Sequence, residues 1–202
     1  MKVRRPAAAD QAVILIGGGS TRMGRDKAMI AREGLPHAVF LAELLRPLSR
    51  RVPLWLGRPS VELEQRREAL APDVLWHDDA GGPGQGPLAG LVGLVSASDA
   101  ADFLVLAVDL FWFQQAAADW LLAQRENRMA VRPHLPGRSF GEPLCAWYRR
   151  QALEAMAVRF EAGERSVNRA FTFGATCDVA VPQPLVPFFR NANVPEALPG
   201  PV

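Results

Sequence analysis

Four short apolar runs punctuate the chain, at residues 12–16, 52–56, 74–76 and 103–108. Each is rich in Val, Ile, Leu or Trp and has no regular polar alternate face. That is the pattern of a strand covered on both sides of a sheet. Between the runs the apolar spacing changes to three and four residues. Ala38, Leu41, Ala42 and Leu45 form one such stripe and predict a helix. Residues 61–70 predict a polar helix and 88–96 an apolar one. Residues 114–124 predict another, with Trp120 and Leu121 as its core contacts. Strand alternating with helix predicts an α/β fold with a mainly parallel sheet.

The pattern loosens in the second half. Residues 129–131 and 144–148 predict strands, separated by the turn-rich HLPGRSFGEP, and 149–160 predict a helix. Beyond Val181 come Pro182, Pro184, Pro187, Pro195 and Pro199, so the tail is expected to wrap the surface as loop. No internal repeat or low-complexity linker interrupts the chain, and a single domain over residues 1–202 is expected.

Composition narrows the class. A chain of 202 residues suits one substantial domain, and 49% hydrophobic against 22% charged residues is a globular balance. A net charge of +2 supplies no dense basic surface, so nucleic acid is not an expected partner. The apolar runs are too short to span a bilayer, so no membrane partner is expected either. In the basic start MKVRRPAAADQ, Asp10 and Gln11 precede the first apolar run, so no signal peptide is expected. Cys145 and Cys177 form no metal-spaced pair and are expected as buried free thiols of a cytoplasmic protein.

The candidate chemistry begins in LIGGGSTRMGRDKAMI, residues 15–30. The stretch follows a buried strand, and open α/β sheets bind ligands beyond the carboxyl ends of their strands. Its glycines let backbone N–H groups approach an anion, and Arg22 and Lys27 add charge. A Walker A loop needs Gly-Lys-Ser/Thr at its end, but here Gly24 is followed by Arg25-Asp26-Lys27. A dinucleotide fingerprint fails because Arg22 stands where its third glycine belongs.

The pattern from Gly17-Gly18-Gly19-Ser20 through Arg22, Gly24 and Asp26 to Lys27 closely resembles the signature loop of Rossmann-like nucleotidyltransferases. Among these it looks most like the molybdenum cofactor guanylyltransferases. Further matches follow. Gly86-Pro87-Leu88-Ala89-Gly90 resembles a family segment that opens a helix, and Asp79 sits at the family's spacing before Gly86. Asp109 ends the run at 103–108, where the family has a metal-holding aspartate within D-x-P; this chain reads Asp109-Leu110-Phe111 and lacks the proline. Asn191-Ala192-Asn193-Val194-Pro195-Glu196 resembles N-x-N-T-P-E, and residues 163–167 also resemble a family segment. Trp55-Leu56-Gly57-Arg58 departs from the usual N-x-N-R.

The resemblance implies a three-layer Rossmann-like nucleotidyltransferase fold, with a nucleotide-binding half at residues 12–110 and an acceptor-binding half at 111–198. It implies transfer of GMP from GTP to the phosphate of molybdopterin, with Mg2+ held by Asp109. Lys27, Arg22 and Asp109 would be catalytic. Leu15, Ile16, Gly17, Gly18, Gly19, Ser20, Lys27, Asp79, Gly86 and Asp109 would bind the nucleotide, and Asn191 and Asn193 the acceptor. Cofactor-biosynthesis and molybdoenzyme-maturation proteins are the protein partners it implies. An ionised phosphate nucleophile needs no general base, so His37, His77 and His134 need no catalytic role. Leu15-Ile16-Gly17-Gly18 resembles the guanine form of the loop, with Ile16 in place of the usual Ala; a glycine leaves room for a purine. The alternatives are a cytidylyltransferase, another small nucleotidyltransferase of this fold, or a non-catalytic nucleotide- or cofactor-binding accessory protein.

Overall fold

The computed structural model describes residues 8–16, 26–57, 60–70, 75–77, 86–171 and 177–191. Its frame is a seven-stranded sheet in the order β5-β4-β1-β6-β8-β7-β9. The strands are β1 (Gln11–Leu15), β4 (Leu54–Leu56), β5 (Leu75–His77), β6 (Asp102–Ala107), β7 (Ala130–His134), β8 (Cys145–Arg149) and β9 (Asp178–Ala180). A small antiparallel hairpin, β2 (Ala31–Arg32) and β3 (Leu35–Pro36), stands apart from it.

β1 pairs in parallel with β4 on one side and β6 on the other. The chain therefore steps outward through β4 and β5, then returns across β1 to lay down β6. Such a reversal of strand order opens a crevice at the carboxyl ends of the two central strands. β8 runs antiparallel to both β6 and β7, and is the exception in a mainly parallel sheet.

Helices cover both faces, as strands apolar on both sides require. Ala12, Ile14, Leu104 and Leu106 face a core shared with α1 (His37–Leu45) and α4 (Gln115–Ala123), through Leu41, Leu45 and Leu121. The alternate residues Val13, Phe103 and Val105 face α3 (Pro87–Ala97) and α5 (Arg150–Glu161), through Leu91, Leu94, Leu153 and Met156. Further α-helices among the described residues are α2 (Val61–Leu70) and the short α6 (Val167–Ala170). The α/β fold with a mainly parallel sheet expected from the pattern, and the three layers that the resemblance implies, are observed. No helix among the described residues is long and apolar enough to cross a membrane.

Several local expectations change. The second apolar run forms a strand only over Leu54–Leu56, with Val52 exposed at its edge. Trp120 is half-buried and, as expected, packs against the core, edge-on to Phe189 at 5.7 Å; Ala117, Ala118 and Leu122 join Leu121 inside. The tail is not loop throughout: Gln183–Phe189 form a 3-10 turn that buries the Phe189 ring. That ring also meets Phe113 edge-on, so apolar burial outweighs the proline content there. Both cysteines are free and buried, and burial pushes the Cys145 thiol well above its usual range.

Candidate active site at the carboxyl edge of the central strands

The ends of β1, β4 and β6 are knitted together at the crevice. Ile16 N–H donates to Leu56 O at 2.9 Å, and Val108 N–H donates to Leu15 O at 3.0 Å. Gly57 turns the chain away from β4 with φ +117°, and a Cβ there would lie 2.0 Å from Ile16 O. Only glycine allows both that backbone conformation and that approach.

The crevice brings two charged residues together. Lys27 opens a 3-10 turn, Lys27–Met29, whose cap is Asp26; its carboxylate accepts from Ala28 N–H at 2.9 Å. Asp109 lies on the tight turn after β6, where Leu110 N–H donates to Ala107 O and Phe111 N–H to Asp109 O, at 3.3 and 3.1 Å. Lys27 Nζ stands 3.5 Å from Asp109 Oδ2, with the two side chains 16% and 21% exposed. Asp109 Oδ1 is buried and has no hydrogen-bond partner among the described residues. Burial pushes the Asp109 carboxyl above its ordinary range, and Lys27 opposes that shift only in part.

A further carboxylate escaped the sequence reading. Glu142 lies on the β7–β8 connection, inside the stretch read only as turn-rich. β6 and β8 pair antiparallel with Leu106 opposite Cys145, and Ala107 N–H donates to Leu144 O at 2.7 Å. Following that register off the sheet brings residue 142 toward residue 109. Burial pushes the Glu142 carboxyl up; Arg138 pulls it down, and the charge of Asp109 raises it further. No motif spacing reveals this, because the neighbourhood is made by strand pairing.

Other expected residues are placed as follows. Ile16 is 5% exposed and packs in the core. Leu15 packs toward α3, where a Cβ on Gly90 would lie 3.8 Å from its Cδ2. Both side chains are turned to packing, so the backbone is what this segment offers a ligand. Gly86 is exposed at the N-cap of α3 with φ +79°, a left-handed conformation that favours glycine. Asn191 is exposed just beyond the Gln183–Phe189 turn. Gly17, Gly18, Gly19, Ser20, Arg22, Asp79 and Asn193 lie outside the described residues. Trp55, in the segment lacking the asparagines, is buried in the core. Phe111, in the place of the proline, is 1% exposed and stacks on His37.

Comparison with known proteins places the chain in a family. The family model described as "MobA-like NTP transferase domain" matches residues 12–176. A molybdenum cofactor guanylyltransferase of Ectopseudomonas mendocina is 30% identical, over 92% of this chain and 88% of that protein. A molybdenum cofactor biosynthesis bifunctional protein of Synechocystis is 28% identical over 91% of this chain, which spans only 51% of that protein's length. Among solved structures, molybdopterin-guanine dinucleotide biosynthesis protein A of Archaeoglobus fulgidus shares the fold, with a TM-score of 0.68 at 19% identity, covering 92% of this chain and 93% of that one. A strand order that reverses at β1, a lysine and an aspartate meeting over that reversal, and these similarities lead to one assignment: the chain is a nucleotidyltransferase and belongs to the MobA-like NTP transferase family, among the molybdenum cofactor guanylyltransferases.

Proposed function

We propose that the chain transfers GMP from GTP to the phosphate of molybdopterin, forming the guanine dinucleotide and releasing pyrophosphate. The observation that carries the reading is the Lys27–Asp109 pair over the crevice between β1 and β6. An oxygen of the acceptor phosphate forms the new bond to the α-phosphorus of GTP. The bond from that phosphorus to the α–β bridging oxygen breaks, and pyrophosphate leaves with the electron pair. The nucleophile is already ionised, so positioning and charge neutralisation carry the catalysis.

The residues present fit a divalent cation. Asp109 Oδ1 is a buried carboxylate oxygen without a hydrogen-bond partner among the described residues, and Mg2+ favours one or two carboxylates completed by substrate phosphate oxygens. Asp109 would hold the ion, which when bound would offset charge on the phosphates. Lys27 brings a mobile point charge to the same crevice, and Asp109 Oδ2 orients it until phosphates arrive.

Pyrophosphate release, measured with Mg2+ and molybdopterin in the presence of GTP or CTP, tests the reading. GTP-dependent release is expected, and Lys27→Ala is expected to lower kcat by roughly 10^2- to 10^3-fold with the fold intact. Release with CTP alone would transfer the reading to cytidylyl transfer. Release with neither would leave a binding protein.

A further inference from the structure

His37 and Phe111 make a contact that the phosphoryl chemistry does not use. His37 is the first residue of α1, 0% exposed, and neither ring nitrogen has a hydrogen-bond partner among the described residues. The Phe111 ring lies on it face to face, with centroids 4.0 Å apart and planes 11° from parallel. Phe40 continues the stack at 6.2 Å, with the Arg32 guanidinium 4.0 Å over its ring.

Phe111 closes the Asp109 turn through its N–H to Asp109 O at 3.1 Å. His37 N–H donates to Ile30 O at 2.9 Å, and Ile30 N–H caps the turn of Lys27 by donating to Lys27 O at 3.3 Å. Arg32 adds a second tie, donating to Phe113 O at 3.2 Å. The two halves of the Lys27–Asp109 pair come from segments far apart in sequence, and the stack is where those segments are clamped just behind the pair. A buried histidine whose ring nitrogens have no partner among the described residues is costly, so packing of the flat ring, rather than polarity, is what the position uses.

We propose that the His37–Phe111 stack is a positioning element, holding the turn that carries Asp109 in register with the turn that carries Lys27. The stack confers on the Asp109-Leu110-Phe111 turn a rigidity that local sequence does not. Neither residue touches substrate; both act through Asp109 and Lys27. The kinetic part of the test rests on the proposed GMP transfer, whereas the exchange part does not.

The test compares His37→Phe, which keeps a flat ring, with His37→Leu, which keeps apolar bulk without one. Amide hydrogen exchange is read at Leu110, Phe111 and Phe113 against the amides of β6. In His37→Leu the turn amides are expected to exchange roughly 2- to 10-fold faster with β6 unchanged, and His37→Phe is expected to match the wild type. For GTP-dependent pyrophosphate release, His37→Leu should lose kcat with KM for GTP held within about twofold, and His37→Phe should restore it. Phe111→Leu, read at the same amides, serves if His37→Leu does not fold. Unchanged turn exchange in the leucine variants overturns the proposal. So does exchange that rises equally throughout β6, or a His37→Phe variant that behaves like His37→Leu. A wild-type protein without pyrophosphate release defeats the GMP-transfer reading instead, and leaves the exchange result to decide the stack.

Discussion

At the scale of single residues, burial sets the behaviour of the site's ionisable groups. Asp109 has a folded pKa above its unfolded value, chiefly through burial. The folded protein therefore holds that proton more tightly, and ionised Asp109 subtracts stability as pH rises through the raised pKa. Asp109→Asn is accordingly expected to unfold at an equal or higher temperature at neutral pH while losing pyrophosphate release. Calorimetry beside the kinetic assay reads both, and a clearly lowered Tm would contradict the argument. His37 works in the opposite sense. Burial first, and then the charge of Arg32, lower its pKa from 6.5 to about 3. The unfolded chain binds the extra proton in that window, so the stability of keeping His37 neutral is complete above pH 6.5 and declines as pH falls toward 3. The expected slope is ~1.4 kcal/mol per pH unit inside the window. Denaturant titrations at stepped pH should show His37→Phe flatter than wild type by about that amount.

At the scale of elements, the β7–β8 connection is held by a bracket behind it. Arg132 on β7 donates to both oxygens of Asp178 on β9, at 2.6 and 2.9 Å, and to Asn168 Oδ1 on α6 at 3.0 Å. Its guanidinium also lies 4.1 Å over the Phe171 ring. Asp178 Oδ2 accepts from Gly141 N–H at 2.9 Å, one residue before Glu142. A Cβ on Gly141 would lie 2.7 Å from Arg132 Cβ, so the loop passes flush against the pair. Arg132 is 5% exposed, and Asp178→Asn would leave its charge buried and unpaired. The expected loss is ~3–5 kcal/mol, read by chemical denaturation. Arg132→Met with Asp178→Leu should recover much of that loss, because the desolvation cost disappears with both charges.

At the scale of the whole molecule, the site lies at the reversal of strand order and draws on segments before and after it. A ligand that bridges the Lys27 turn and the Asp109 turn binds only the folded chain. GTP with Mg2+ at about 100 times its dissociation constant is then expected to stabilise the protein by ~2.7 kcal/mol. Thermal shift should respond to GTP in the wild type and lose most of that response in Lys27→Ala. An equal response in both would remove Lys27 from the nucleotide contacts.

The strand–helix alternation, the glycine-rich segment ahead of Lys27 and the aspartate ending the strongest apolar run are written along the chain itself. These are legible because they depend on period, local turn chemistry and a contiguous motif. β9, the 3-10 turn of Gln183–Phe189, Glu142 and the His37–Phe111 stack were decided only by tertiary structure. β9 is short, and its hold comes from the Arg132–Asp178 pair and from pairing with β7. Glu142 nears Asp109 because β8 runs antiparallel to β6. His37 and Phe111 are ordinary residues in sequence, brought face to face by α1 packing under the turn of β6. Local pattern specifies which elements form; contacts between residues distant in the chain decide which side chains meet, because they depend on how the sheet is ordered.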